Sequence, residues 1–142
     1  MTAKTSSVLI SFRLSADTVA LLDAAAASSI ESRNALAERL LAEALHTERH
    51  PLIHFRTGAA GRREPAITGT RLLVRQVIAQ VMDTDNDAQV VAQALDRPVR
   101  EIQAAMSYYA EFPAEIEADA QWAAGIEATE RARWEREQAA FA

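Results

Sequence analysis

The chain has 142 residues, a formal net charge of -5 and no cysteine. A chain of this length forms one ordinary domain or two small ones, and a piece of about 50 residues is marginal without a partner, so oligomerisation is expected. The absence of cysteine excludes disulfides and thiolate metal sites and fits a reducing cytoplasm. No basic start precedes a long apolar stretch and no run of about 18 apolar residues occurs, so neither a signal peptide nor a membrane span is expected.

The charge is unevenly distributed along the chain. The residues up to Arg63 include 8 basic and 6 acidic side chains, those from Glu64 to Ala110 include 4 and 6, and those from Glu111 onward include 3 and 8. A mildly basic front and an acidic rear suit a protein that binds a polyanion at one end and a basic protein at the other.

The stretch from Ser7 to Leu14 alternates in character with the period of a strand. The apolar side chains at its even-numbered positions fall on one face. The opposite face is formed by Leu9, Ser11 and Arg13. One strand cannot hide its apolar face alone, so we expect it to pair with the same strand of a second chain over a shared four-helix core. Such a two-stranded ribbon fits the DNA major groove, which makes these three residues candidate base contacts.

Two helical segments follow this strand directly. Ser15 is a good N-cap for the first helix, and Ser28-Ser29 favours its end. The second helix is expected to begin near Ser32, its N-cap, and to fade before Pro51. Its free N-terminal amides form a natural phosphate seat. The candidate DNA contacts at this seat are Ser32, Arg33 and Asn34.

The order of strand, helix, turn and helix, with the Leu14-Ser15 junction and the Ser32-Arg33-Asn34 helix start, resembles the ribbon-helix-helix family. This family of dimeric DNA-binding proteins includes many antitoxins and repressors. The resemblance covers about Ser7 to Leu45. It implies that Leu9, Ser11 and Arg13 face bases and that the amides near Ser32 to Asn34 hold a phosphate. The alternative is a strand packed within an ordinary α+β domain.

Three of the four glycines lie between Pro51 and Thr70. The pattern predicts a strand at Ile53 to Arg56, a turn at Gly58 to Gly61, and a return strand or extended arm at Arg62 to Thr68. Three arginines surround the turn and are candidate contacts to backbone phosphate, the alternative being a solvated loop. They are Arg56, Arg62 and Arg63.

Apolar spacing then predicts three further helices. The first spans Leu72 to Met82, the second is capped by Asp85 or Asp87, and the third starts at Asp96-Arg97-Pro98. Three helices of this kind, the last two joined by a tight turn, form a helix-turn-helix-like unit.

The unit from His50 to about Trp122 resembles domain-of-unknown-function family four-three-three, which is found in VapB-type antitoxins. The matching residues are the run from Gly61 to Arg71, the helix start from Pro98 to Ile102, and the stretch from Ala105 to Ala110 followed by Glu115-Ile116. The resemblance implies a homeodomain-like helical fold and a partner of the PIN-like ribonuclease toxin class.

The remaining tail, from Pro113 to Ala142, is helical by composition, strongly charged and sparse in apolar residues. Its spaced aromatic and aliphatic side chains are typical anchors for another protein's groove, although a tail that folds back on its own dimer is the alternative. An acidic tail can also cover a basic RNA-binding cleft. The candidate partner-binding residues are Trp122, Ile126, Trp134 and Phe141.

Two groups of side chains have metal-ligand spacing without the rest of a site. The acidic run from Asp83 to Asp87 opens like a calcium loop, but Ala88 replaces the glycine of the sixth position and Ala94 the glutamate of the twelfth. Histidines recur at every fourth position from His46 to His54, but Pro51 interrupts their helix. No serine lies in a nucleophile elbow, and most acids lie on helix caps or in the tail. We therefore expect no catalysis, no cofactor and no metal.

The expected fold is mainly α. It comprises a ribbon-helix-helix domain over 1-49, a helix-turn-helix-like domain with a short β-hairpin over 50-112, and an acidic helical tail over 113-142. The expected function is that of a cytoplasmic type II antitoxin, a homodimer that binds operator DNA and blocks a PIN-like ribonuclease toxin. The alternatives are a stand-alone dimeric transcriptional regulator, and a structural adaptor whose strand only dimerises.

Overall fold

The computed structural model describes residues 6–58 and 61–142, and the described chain forms six helices and two strands. The helices are α1 (Ala16–Ala27), α2 (Arg33–Arg49), α3 (Val74–Asp83), α4 (Ala88–Leu95), α5 (Val99–Glu111) and α6 (Pro113–Ala140), and the strands are β1 (Ile53–Thr57) and β2 (Arg63–Ile67). The expected mainly helical class is confirmed. The chain divides into unit 1 (Met1–Ala42) and unit 2 (Glu43–Ala142), so the division falls within α2 and all of α6 belongs to unit 2.

Local capping explains where α1 and α2 begin. The Ser15 hydroxyl accepts a hydrogen bond from the backbone N–H of Thr18 at 3.2 Å. The Ser32 hydroxyl accepts from the backbone N–H of Ala35 at 3.1 Å. Each cap satisfies one of the amides that a helix leaves without a partner in its first turn. Both predicted caps are therefore confirmed.

The predicted strand at Ser7 to Leu14 does not form within one chain. Residues 6–15 lie outside helices and strands. In the described part of the chain, β1 and β2 pair with each other, and Ala66 of β2 also forms an isolated bridge with Leu73, so neither strand pairs with this segment. The predicted partner of this segment is the same segment of a second chain, and the structure describes one chain. The ribbon-helix-helix arrangement therefore stays a prediction.

Unit 1 buries almost none of its own apolar surface. Among residues 6–42, Leu36 alone is buried, and α1 has no buried residue. The large apolar side chains left exposed in this unit are Val8, Leu9, Ile10, Phe12, Leu14, Leu21, Ile30, Leu40 and Leu41. A unit that leaves this much apolar surface in water needs a further surface to pack against.

Unit 2 has a closed core beneath a two-stranded hairpin. β1 and β2 are antiparallel, with Ile53 opposite Ile67 and Thr57 opposite Arg63. Both predicted strands are confirmed, whereas Ala59 and Ala60 of the predicted turn lie outside the described residues. The buried cluster contains Ile53, Ile67, Val74, Val77, Ile78, Val81, Val91, Ala92, Ile102, Ala105, Tyr108 and Ile116.

The turns around α4 show one confirmed cap and one correction. Asp87 caps α4, because its carboxylate accepts from the backbone N–H groups of Gln89 and Val90 at 3.0 and 3.2 Å. Asp96, which the sequence suggested for the start of α5, instead ends α4 with a left-handed φ of 51°. Pro98 is the residue that directly precedes α5. An aspartate tolerates this left-handed conformation better than most residues with a Cβ atom.

A polar network joins the last turn of α2 to α5 and α6 within unit 2. The Tyr108 hydroxyl donates to Glu115 Oε1 at 2.8 Å, and His46 Nδ1 lies 2.9 Å from the same hydroxyl oxygen. The His46 ring stacks on Phe112 with 4.2 Å between ring centroids. Burial raises the pKa of Glu115, and the hydrogen bond from Tyr108 lowers it only in part. The network thus stabilises a carboxylate that burial disfavours.

We expect Tyr108→Phe to destabilise unit 2 in a pH-dependent way. Because the folded-state pKa of Glu115 is raised, its proton-linked stabilisation is present at low pH and is lost as the pH rises through that pKa. Removing the hydroxyl raises this pKa further and penalises the ionised form. The free energy of unfolding should therefore fall by roughly 1–3 kcal/mol at pH 7, and by less at pH 4.

Urea titration of both proteins at the two pH values measures this difference. Tyr109→Phe is the matched control, because the Tyr109 hydroxyl donates to Glu117 at the exposed surface. That control should change stability little at either pH. A Tyr108→Phe effect that is as large at pH 4 as at pH 7 would contradict the assignment.

Candidate nucleic-acid interface and partner-binding helix

The three predicted base contacts of unit 1 are exposed. Leu9 is 96% exposed, and Ser11 and Arg13 are exposed as well. Arg13 forms no ion pair with any described residue, so its charge is available to a ligand. Within the described part of unit 1, the other arginines have acidic partners: Arg33 pairs with Asp23, and Arg39 pairs with Glu31.

An apolar cleft of about 700 Å³ lies within unit 1. Its lining residues are Phe12, Arg13, Leu14, Thr18, Leu21, Leu22, Ala25, Ala37, Leu40 and Leu41. Phe12 and Leu14, which the alternating pattern assigns to the buried face, line this cleft. Leu9 and Ser11, assigned to the opposite face, do not, although Arg13 borders it. The sorting follows the predicted two faces only in part, because Val8 and Ile10 of the apolar face also lie outside the lining and are exposed.

The start of α2 presents the predicted phosphate seat at the surface. Ser32, Arg33 and Asn34 are all exposed. Arg33 Nε lies 2.9 Å from Asp23 Oδ1, and both side chains are about half exposed at 54% and 55%. An exposed pair of this kind contributes little stability, so Arg33 can exchange its partner for a phosphate at small cost.

Two of the predicted phosphate contacts in unit 2 are held by carboxylates. Arg62 donates to Asp119 Oδ1 through Nη2 at 2.9 Å and Nε at 3.1 Å. Arg63 Nη2 lies 2.6 Å from Glu43 Oε1. The third, Arg56, lies opposite Glu64 in the hairpin register and is half-buried. Contact with DNA would require Arg62 and Arg63 to leave these ion pairs.

Sequence reasoning missed three buried acidic residues in unit 2, of which Glu101 is 8% exposed and pairs with Arg97. Glu64 is 2% exposed and Asp119 is 4% exposed. Arg75 Nε donates to Glu64 Oε1 at 2.8 Å, which ties β2 to α3. Burial raises the pKa of Asp119 and its hydrogen bonds with Arg62 lower it in part. The partners of Asp119 lie far away in sequence, so no local pattern could have found this pair.

The predicted partner-binding residues of α6 divide into two groups. Trp122 is half-buried, and the Arg62 guanidinium carbon lies over its ring, 5.1 Å from the ring centroid. Trp122 therefore packs within unit 2. Every residue from 124 to 142 is exposed. Ile126, Trp134 and Phe141 are 42%, 60% and 91% exposed, respectively. These three remain available to a partner.

Most of the net negative charge from Glu111 onward lies where α5 ends and the first half of α6 packs on its own unit. Glu111 pairs with His50, Glu115 with Tyr108, and Asp119 with Arg62. The exposed stretch from 124 to 142 contains four glutamates and three arginines, a net charge of -1. A partner therefore meets a mixed-charge helix rather than a uniformly acidic one.

No described helix combines the length and apolar character needed to cross a membrane. In the described ranges, no group of three or more histidine, cysteine, aspartate or glutamate side chains is arranged to hold a metal ion. No protein-family model, curated protein or solved structure matches the chain.

We expect Arg62→Ala to act on stability rather than on DNA binding. It leaves the buried Asp119 carboxylate without its ion-pair partner and uncovers one face of Trp122. Breaking a buried pair costs about 3–5 kcal/mol. The Arg62 side chain is 33% exposed, so solvent screening should bring the loss to about 2 kcal/mol.

Urea unfolding followed by circular dichroism measures this loss. Arg71→Ala is the control, because Arg71 is an exposed arginine of the same unit and should change stability by no more than about 0.5 kcal/mol. If Arg62→Ala lowered the free energy of unfolding no more than Arg71→Ala but weakened DNA binding, Arg62 would be a phosphate contact and not a structural residue.

Proposed function

We propose that this protein is the antitoxin of a type II toxin–antitoxin system. In this proposal unit 1 forms a ribbon-helix-helix homodimer that binds operator DNA and represses its own operon, and the chain also blocks a PIN-like ribonuclease toxin in the cytoplasm. The observation that carries it is the open apolar surface of unit 1, where Leu36 alone is buried among residues 6–42.

A second copy of unit 1 is the surface that these side chains fit best. Phe12 and Leu14 line the same cleft as Leu21, Leu40 and Leu41, so one copy offers the strand face and both helices to the other. A piece of this size rarely holds a fixed fold without such a partner. Pairing of the two Ser7 to Leu14 segments would also satisfy their backbone groups.

DNA binding is supported by the side chains that such pairing would leave on the outer face of the ribbon. Leu9, Ser11 and Arg13 would stand in a row on the ribbon, and two copies would present them twice. Unit 1 contains four basic and four acidic residues, a net charge of zero. General attraction to phosphate is therefore weak, and selectivity should depend on base contacts by Arg13 and on the exposed start of α2.

The toxin-binding part is supported by the exposed half of α6. Ile126, Trp134 and Phe141 are exposed large apolar side chains of this stretch. Aromatic side chains of this kind anchor helices in the grooves of other proteins.

Phe12→Ala distinguishes a dimer from a free unit 1. In a single chain Phe12 is 62% exposed, and its truncation would then cost little. In the proposed dimer it is buried, and we expect a loss of roughly 3–5 kcal/mol together with dissociation into monomers. Light scattering and concentration-dependent thermal unfolding of the full-length protein measure both effects.

Leu9→Ala is the matched control for this experiment. Leu9 is even more exposed in the single chain, and the proposal places it on the DNA side of the ribbon. Its truncation should leave the dimer as stable as before. Equal stability of the two variants would refute the proposed dimer.

Arg13→Ala tests the DNA contact. Because a good base contact contributes about 1–3 kcal/mol of discrimination, we expect selectivity for the upstream region of the protein's own gene over random DNA to fall roughly tenfold. Fluorescence anisotropy at a fixed salt concentration measures both affinities, with Arg71→Ala as the exposed-arginine control.

Equal affinity of the unaltered protein for both DNA molecules would contradict operator recognition. The same full-length protein, purified from its native cell, should carry a ribonuclease that becomes active on separation. Selective DNA binding without any such ribonuclease would instead identify a stand-alone regulator.

A further inference from the structure

The exposed half of α6 continues the face by which its first half packs on unit 2. Helical positions advance by about 100° per residue. On this projection Ile116, Asp119 and Trp122, which are buried or half-buried, fall within an arc of about 120°. Ile126 and Trp134 fall within the same arc, and Phe141 ends the helix on that side. The face that packs in the first half is thus left without cover in the second.

Charge is sorted around this exposed half in the same way. Glu130 and Glu137 project between Ile126 and Trp134, and Glu127 projects beside Trp134. Arg133 falls within the same arc, next to Ile126, and is paired with Glu137 at 3.2 Å. Arg131, Glu135 and Arg136 project to the other side. The apolar face therefore has a net negative charge, and the opposite face has a net positive one.

We propose that this face, formed by Ile126, Glu130, Trp134, Glu137 and Phe141, docks into an apolar groove bordered by lysine and arginine on a different protein. The inference rests on the proposed antitoxin function, since it specifies the surface chemistry of the toxin. Its support is the continuity of this face with the packed face of α6 and the negative charge placed among the apolar anchors.

A second copy of this chain fits the face poorly. Two copies packed through it would bring Glu130 and Glu137 of both chains into one interface, where like charges repel and only Arg133 of each chain offsets them. A basic border instead pairs with these carboxylates around the desolvated anchors. The stretch from 124 to 140 is roughly 25 Å long at 1.5 Å per residue, enough to cross a groove of ordinary interface size.

Photocrosslinking in the native cell tests whether a different protein binds this face. The full-length chain carries benzoylphenylalanine at Trp134 or, in a second variant, at Phe141, so that one disturbed anchor does not decide the result. We expect crosslinks to a different protein, mapped by mass spectrometry to apolar residues flanked by lysine or arginine. Crosslinks to a second copy of this chain, or to no protein from either position, would overturn the proposal.

The purified crosslinked partner is then titrated with charge variants of the full-length protein. Glu130→Lys should weaken binding at least roughly tenfold, because it places a like charge against the basic border. Glu135→Lys makes the same change on the opposite side of the same helix and should leave affinity within about twofold. Trp134→Ala should weaken binding roughly thirtyfold, as expected for an aromatic anchor. Equal effects of the two lysine variants would overturn the proposal.

These outcomes separate the inference from the proposed function. If the crosslinked partner has the basic, apolar groove but is not a ribonuclease, the docking surface stands and the antitoxin function falls. If a ribonuclease co-purifies and tolerates Glu130→Lys, the antitoxin function stands and the docking surface falls.

Discussion

The unequal burial of apolar side chains is the constraint on which both units depend. Unit 2 surrounds Ile53, Val74 and Ile102 completely, whereas residues 6–42 of unit 1 bury only Leu36. Hydrophobic burial is the dominant favourable contribution to folding, so unit 2 can hold its fold with its own core and unit 1 needs added surface. The Ser7 to Leu14 segment, which belongs to unit 1, also has no strand partner within one chain. Its alternating pattern describes a surface to be completed, not one that is complete.

In unit 2, buried ion pairs fix the relative positions of elements that the apolar core alone would not orient. A hydrophobic contact is non-directional, whereas the hydrogen-bonded Glu64–Arg75 and Arg62–Asp119 ion pairs are directional. The first ties β2 to α3, and the second ties the loop before β2 to α6. Desolvation makes such pairs costly to form, and the raised pKa of Asp119 shows that burial outweighs the stabilising effect of its arginine. Their main consequence is to fix positions. The Arg62–Asp119 pair holds the first half of α6 and leaves Arg62 without a free charge.

The parts of this fold that the sequence predicted correctly are those with local causes. Ser15, Ser32 and Asp87 cap helices within three residues of the amides they bind, and apolar periodicity indicated the helices of unit 2. Asp96 was misassigned because an aspartate between two helices can end one or begin the other. The Arg62–Asp119 pair was missed because its partners are brought together only by the tertiary fold. For the same reason the sequence could count three arginines near the hairpin turn but could not tell that two of them have carboxylate partners.

The charge of the tail shows why composition alone misdescribes a binding surface. Summed along the sequence, the residues from Glu111 onward are strongly acidic, which suggested a general mimic of RNA. Glu111, Glu115 and Asp119 are engaged inside unit 2, and the exposed remainder is nearly balanced. What distinguishes that remainder is the side of the helix on which each charge falls. A partner would therefore recognise the arrangement of glutamates among the apolar anchors, because the net charge of the exposed helix is too small to attract it.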